Sequence, residues 1–348
     1  MKHFIILIAA VFIGLTVIYF QNEDRTKKVD DHTLRIYASS SFIAKWGPGP
    51  ELKALFEKQH IFKIEFVESP DISMTMQKIN FEGDRARADL VLGLDQFDIG
   101  RLASKIKWKT LDIAYTDQLT DELKSQTDSL LKQKNFVAYD WAPMTFIARR
   151  DLGVQIDSLD DLLKPELKGK IALQDPRTSS PGLQFLSWIF ESKSAQESIV
   201  FLKALTEQVH SFSSSWSAAY GLFKNKQADL VFSYVTSPIY HLVEEKDDSY
   251  LALEFKEPLP VQIEFAGVPD GCKNCEGAQI FLKFMLSQEA QKIIMAKNYM
   301  LPVVAKVKDS TPFDAVKVFK TRAVQFYDQN QIEKWVNQWS EIRKNEGQ

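Results

Sequence analysis

The 348-residue chain reads as an α/β protein built in two lobes. Three observations predict this. The length exceeds what one hydrophobic core ordinarily serves, so two domains are the default. Segments rich in β-branched and aromatic residues alternate with segments of helical periodicity along the chain. Several strand candidates are nearly all apolar, which suits strands covered on both faces of a parallel sheet. Apolar residues at 45% and charged residues at 26% supply ordinary cores without needing a disulfide or a metal. A net charge of −3, a pI near 6.0 and no run of lysine and arginine interleaved with aromatics argue against nucleic acid as a partner.

The first element is an export signal over residues 1–28. Lys2 and His3 precede an apolar run from Phe4 to Phe20, and the polar stretch Gln21 to Asp31 follows. The run is slightly shorter than the roughly 20 residues that span a bilayer, and no small-x-small cleavage site precedes Gln21. It therefore reads as a signal peptide or an N-terminal membrane anchor, and either leaves the rest of the chain outside the cytoplasmic membrane. No cysteine near its end offers a site for lipid.

Next come the strand-like Leu34 to Ala38 and a helix from about Pro50 to Gln59 with Leu52, Leu55 and Phe56 on one face. Further strands are predicted at Lys63 to Glu68, Ala88 to Leu94, Phe136 to Arg149, Lys170 to Gln174, Ala228 to Tyr234 and Val261 to Val268. Ala88-Asp89-Leu90-Val91 and Ala228-Asp229-Leu230-Val231 read alike, either as equivalent strands of two similar lobes or through chance and common strand chemistry. Ligands of open α/β sheets bind at the turns leaving such strands, where helix N-termini offer free N–H groups.

Three turns carry ligand-type groups. In Gln174-Asp175-Pro176-Arg177-Thr178-Ser179-Ser180-Pro181-Gly182, Pro181 suits the first helical position and Ser179 or Ser180 the N-cap. Such a terminus either caps its own helix or holds an oxyanion such as phosphate. Ser213-Ser214-Ser215-Trp216-Ser217-Ala218-Ala219-Tyr220-Gly221 and Ser233-Tyr234-Val235-Thr236-Ser237-Pro238-Ile239-Tyr240 set rings among hydroxyls. Rings so placed attract a flat cation, or else pack in a core. Asp71, following a strand, and Glu264, inside an apolar one, are acids that a ligand cation or amino group would satisfy, or else Glu264 simply takes a surface position on an alternating strand. Cys272 and Cys275 form a C-x-x-C in a polar turn; in an exported chain a small-loop disulfide is the first reading, with a redox pair or half a metal site behind it. The five histidines show no ligand spacing, and P-loop, dinucleotide-fold glycine, nucleophile-elbow and zinc-protease motifs are absent from the sequence.

Five collinear stretches resemble the periplasmic thiamine-binding proteins of thiamine ABC transporters. They are Ser41 to Pro50 (SFIAKWGPGP), Ala88 to Asp95, Asp175 to Gly182, Trp216 to Phe223 and Ser233 to His241. The resemblance implies a two-lobed periplasmic binding protein fold of the second type, with the ligand cleft between lobes joined by crossover strands. It implies a first lobe of residues 33–137 plus 261–307 and a second of 138–260 plus 308–348. It implies no cofactor and no catalysis: a monomer that captures thiamine, thiamine monophosphate or thiamine diphosphate in the periplasm and delivers it to the membrane permease and its ATPase. By position in the motifs, Asp71 would bond the aminopyrimidine, Ser179 and Ser180 would meet the hydroxyethyl or phosphate end, and Trp216, Tyr234 and Tyr240 would pack on the rings. Thr236 and Ser237 would add polar contacts. Tyr299 stands where the family has tryptophan, and Ile72 follows Asp71 where the family tends to glycine. Two rivals share the fold: a binding protein for iron or a polyamine, and a thiamine-degrading enzyme, which would need a cysteine in the cleft.

Overall fold

The strand from Phe136 to Arg149, fourteen residues long and buried almost throughout, organises the molecule. The computed structural model describes residues 32–83, 86–102, 105–111, 113–124, 134–307 and 312–344. The export signal expected at residues 1–28 lies outside them.

The strands are β1 (Thr33–Ser39), β2 (Lys63–Ser69), β3 (Leu90–Leu94), β4 (Phe136–Arg149), β5 (Ile171–Gln174), β6 (Val209–Ser213), β7 (Leu230–Tyr234), β8 (Tyr250–Ala252), β9 (Val261–Gly267) and β10 (Leu301–Pro302). The helices that matter are α1 (Gly49–Gln59), α2 (Ile72–Glu82), α3 (Gln96–Leu102), α4 (Ser180–Ser192), α5 (Ala195–Thr206), α6 (Trp216–Lys224), α7 (Ser237–Tyr240), α8 (Cys275–Met285), α9 (Gln288–Asn298) and α10 (Gln329–Lys344). Hydrogen-bonded neighbours run β2-β1-β3-β9-β4-β7-β5-β6, with β8 and β10 added to β4.

The path is pseudo-symmetric. β1 pairs in parallel with β2 and β3, and β3 then pairs antiparallel with β9. β5 likewise pairs in parallel with β6 and β7, and β7 pairs antiparallel with β4. The two Ala-Asp-Leu-Val segments therefore lead into equivalent strands. The parallel sheet expected from the apolar runs is mixed: β4 and β9 run antiparallel to each other because they carry the chain across between the lobes and back. Residues 136–143 of β4 pair with β9 and residues 144–148 with β7, so the handover falls at Pro143, a residue without an N–H to give the ladder.

Each half has its own core. Leu34, Ile36, Leu52, Phe56, Leu92, Phe281 and Met285 pack in one; Phe146, Leu173, Leu186, Trp188, Phe232 and Trp339 pack in the other. At roughly 1.5–3 kcal/mol per buried large apolar side chain, either set dominates the favourable side of its lobe's folding. β6 escaped prediction because it is an edge strand whose polar, half-exposed residues (Val-His-Ser-Phe-Ser) lack an apolar run.

Candidate functional site

The strand-to-helix turns of both lobes converge on the gap between them. In the first lobe Asp71, after β2, is the N-cap of α2 and accepts a hydrogen bond from the Ser73 N–H at 3.1 Å. In the second lobe the turn from β5 to α4 is tied by Asp175, whose carboxylate accepts from the Arg177 guanidinium at 2.9 Å and from Trp339 Nε1 at 3.3 Å. A Cβ on Gly182 would lie 2.7 Å from the Asp175 carbonyl carbon and the Pro176 nitrogen, so only glycine lets α4 start this close over the turn.

These turns enclose a cavity of about 330 Å³. One wall is aromatic: Trp216 stacks on Tyr220 at 4.9 Å and sits 6.2 Å from Tyr234, and Tyr240 meets Tyr299 edge-on at 5.5 Å. Trp216 is oriented by its Nε1–H, which donates to Ser233 Oγ at 2.9 Å, and Ser233 in turn shares a hydrogen bond with Ser237 at 2.8 Å. Tyr299 adopts the left-handed conformation (φ 53°, ψ 36°) that ends α9, and this turns its ring into the gap. Its phenol donates to Glu244 at 2.9 Å, and burial pushes its pKa up.

Two acids, Asp71 and Glu264, line the floor, and Asp95, Asp98 and Asp140 are buried outside the lining. Burial, reinforced by the Asp98 charge and opposed by the Ser73 N–H, raises the Asp71 carboxyl to about 7. Burial raises Asp95 and Asp98 as well, and Arg101, 3.9 Å from Asp98, offsets this for Asp98. Asp140 and Glu264 form a second raised pair, also through burial; the Tyr139 phenol donates to Glu264 at 2.7 Å and the Asn298 amide to Asp140 at 2.7 Å. Buried carboxyls held above their ordinary range lower their energy when a cation or N–H donor arrives. The cleft thus has flat rings on one side and, on the other, buried carboxyls that a cation or N–H donor would favour in their ionised form.

Of the residues singled out in the sequence, Asp71, Ser180, Trp216, Tyr234, Ser237, Tyr240, Tyr299 and Glu264 line the cavity. Ser179 and Thr236 do not. Each is fully buried one residue before a lining serine, at a helix N-cap where consecutive side chains point different ways. Ser179 Oγ lies near enough to favour the ionised form of Asp71 but makes no well-formed hydrogen bond, and Thr236 Oγ1 has none among the described residues. The expected oxyanion role of the Ser180 terminus meets a competitor: its N–H points at Asp71 Oδ1 at 3.4 Å and its hydroxyl donates to Asp98 at 3.1 Å. Carboxylates of the protein already occupy the Ser180 donors, and of the two N–H groups further along the turn the Leu183 N–H donates to the Ser179 carbonyl at 3.1 Å.

Sequence reasoning missed Trp46, Lys224, Gln262 and Asn298, all of which line the cavity. Lys224 shares a helix face with Ser217, Tyr220 and Gly221, and Gln262 lies two residues before Glu264 on the same strand face, so both were within reach of periodicity. Cys272 and Cys275 are joined in a disulfide just ahead of α8 and are not among the lining residues.

Two lobes joined by crossing strands, with a ring-lined acidic cavity between turns of both, define a solute receptor of the two-lobed periplasmic binding class. The chain belongs to the bacterial extracellular solute-binding protein family, whose model matches residues 98–299. It is 35% identical over 313 residues to the "Thiamine-binding periplasmic protein" of Brucella suis biovar 1, covering 88% of this chain and 91% of that one. A solved "Periplasmic thiamin binding protein" superposes with a TM-score of 0.79 at 29% identity, covering 89% of this chain and 96% of that one. The apo ferric ion-binding protein A of Pasteurella haemolytica superposes with a TM-score of 0.73 at 15% identity over 90% of this chain and 98% of that one, which shows a shared fold and nothing more.

Proposed function

We propose that the protein is the substrate-binding component of an ABC importer, capturing thiamine or its phosphates in the periplasm and handing them to the membrane permease and its ATPase. The observation that carries this is the cleft itself: aromatic faces from Trp216, Tyr234, Tyr240 and Tyr299 set against the raised acids Asp71 and Glu264. A thiazolium ring gains from the negative faces of such rings, and an aminopyrimidine amine gains from a carboxylate. Relatives that bear the thiamine-binding name lend the reading its ligand.

Binding from both lobes favours the closed state, since only contacts made better in one state than the other shift the balance. In this reading the protein catalyses nothing; the cleft presents no cysteine nucleophile, because both cysteines are paired elsewhere. Iron is the weaker alternative: no group of three or more His, Cys, Asp or Glu side chains that could hold a metal assembles among the described residues, and the phenols of Tyr240 and Tyr299 are already bonded to Lys224 and Glu244. The acids and rings would also hold the ammonium groups of a polyamine, but a polyamine has no flat ring to stack between aromatic faces and no anionic tail.

Calorimetric titration of the purified protein with thiamine, thiamine monophosphate and thiamine diphosphate tests the proposal, with spermidine and ferric citrate as competitors. Saturable micromolar or tighter binding of a thiamine compound is expected. Binding of a competitor alone refutes it.

A further inference from the structure

Resting on that reading, we propose that Lys224 reads the phosphate of a ligand with a cationic ring, and so sets the preference for thiamine phosphates over thiamine. α6 presents Ser217, Tyr220, Gly221 and Lys224 to the cavity from one face. Lys224 Nζ donates to the Tyr240 phenol at 2.6 Å and to Glu245 Oε1 at 2.9 Å, and lies 4.6 Å from the centre of the Tyr240 ring. An ammonium has three donors, and these contacts use two. Because the Tyr240 oxygen accepts from Lys224, its own proton is left to donate. An ammonium and a phenol O–H side by side at a cavity wall make an anion-reading pair.

The placement of this pair is fixed from behind. Glu245 Oε2 is held at 2.6 Å by Nδ1 of the fully buried His241, whose Nε2 is bonded to the Tyr220 phenol at 2.9 Å. The second cation lining the cleft, Lys297, belongs to the last turn of α9 and has no comparable scaffold among the described residues. Beside Lys224 there is room: a Cβ added at Gly221 would meet no atom within 4 Å.

The competing place for a phosphate is the N-terminus of α4, and there the charge is wrong. The Ser180 N–H and hydroxyl already face Asp71 and Asp98, so a phosphate would sit among carboxylates. The cleft therefore offers an acid at Asp71 and, at Lys224, an ammonium with one N–H left over from its contacts with Glu245 and Tyr240, and it matches a ligand with a cationic ring and an anionic tail.

The test is calorimetric titration of the wild type, Lys224→Met and Lys224→Arg with thiamine, thiamine monophosphate and thiamine diphosphate at fixed ionic strength. The wild type is expected to bind the phosphates more tightly than thiamine. Lys224→Met should shift the phosphate-to-thiamine affinity ratio by about ten- to a hundredfold, the range for a charge-assisted hydrogen bond. Lys224→Arg should restore most of the ratio. An unchanged ratio in Lys224→Met overturns the inference, whether all three ligands weaken together, as for a packing role, or none does. Wild-type protein that binds none of the three refutes the functional reading itself. Wild-type protein that binds thiamine at least as tightly as its phosphates leaves that reading standing and overturns only the role of Lys224.

Discussion

Asp71 makes ligand binding depend on pH, and the structure sets the size of the effect. In the empty cleft its carboxyl has a pKa of about 7, first because it is buried and then because Asp98 lies near, with the Ser73 N–H working the other way. A bound cation or amine needs the ionised form. Between pH 8 and pH 6 the ionised fraction of a group with that pKa falls from about 90% to about 10%, so affinity for free thiamine should fall about tenfold, or about 1.4 kcal/mol. Free thiamine is the right probe because it carries no phosphate to titrate in that window. In Asp71→Asn the dependence should flatten, and the affinity at pH 8 should drop by about tenfold or more with loss of a charge-assisted hydrogen bond.

Stability of the empty protein should move the opposite way. A raised folded pKa means that the native state holds a proton the unfolded chain has lost. The associated stability is full below 3.8 and disappears as pH rises through about 7. The shift is about three units, so at 1.36 kcal/mol per unit the ionised Asp71 costs the empty protein at most about 4 kcal/mol at pH 8. Empty Asp71→Asn should therefore melt above the wild type at pH 8 and match it near pH 4. Melting curves at pH 4, 6 and 8 and calorimetric titration at pH 6, 7 and 8 read the two effects. Wild-type affinity flat across that range, or a slope that survives in Asp71→Asn, would refute the reasoning.

Further expectations follow from the same geometry. Trp216→Ala removes the ring that stacks on Tyr220 and should weaken thiamine binding about ten- to a hundredfold, whereas Trp216→Phe should keep most of it; fluorescence titration on the remaining tryptophans distinguishes them. Replacing Cys272 and Cys275 by serine opens a four-residue loop and should cost about 2 kcal/mol in denaturant unfolding without changing the ligand Kd. Gly182→Ala drives a Cβ into the backbone of Asp175 and Pro176, so it should lower the melting temperature and weaken binding together by displacing the start of α4.

What the sequence made legible was whatever declares itself locally. Apolar runs such as Leu90–Leu94 and Leu230–Tyr234 announced buried strands, and hydroxyl-rich turns before Pro181 and Pro238 announced helix starts at the site. Pairing direction was not local: β9 lies between β3 and β4 because the chain returns across the molecule, and no residue of Val261–Gly267 encodes that alone. The same limit applied to the site. Asn298 reaches the cavity from an element far along the chain from the hydroxyl-rich turns, and Lys224, though on the face periodicity marks, ends a helix where a lysine is expected on dipole grounds alone. Ser179 and Thr236 lie buried outside the lining, and a hydroxyl at an N-cap looks the same in sequence whether it faces a ligand or a core.

The most direct test is a crystal structure of the protein grown with thiamine monophosphate. The account predicts one ligand in the cavity between the lobes, its rings against Trp216, Tyr234 and Tyr240, its amine at Asp71 and its phosphate within hydrogen-bond distance of Lys224 Nζ. An empty cleft at saturating ligand, or rings bound away from the aromatic wall, would contradict the account.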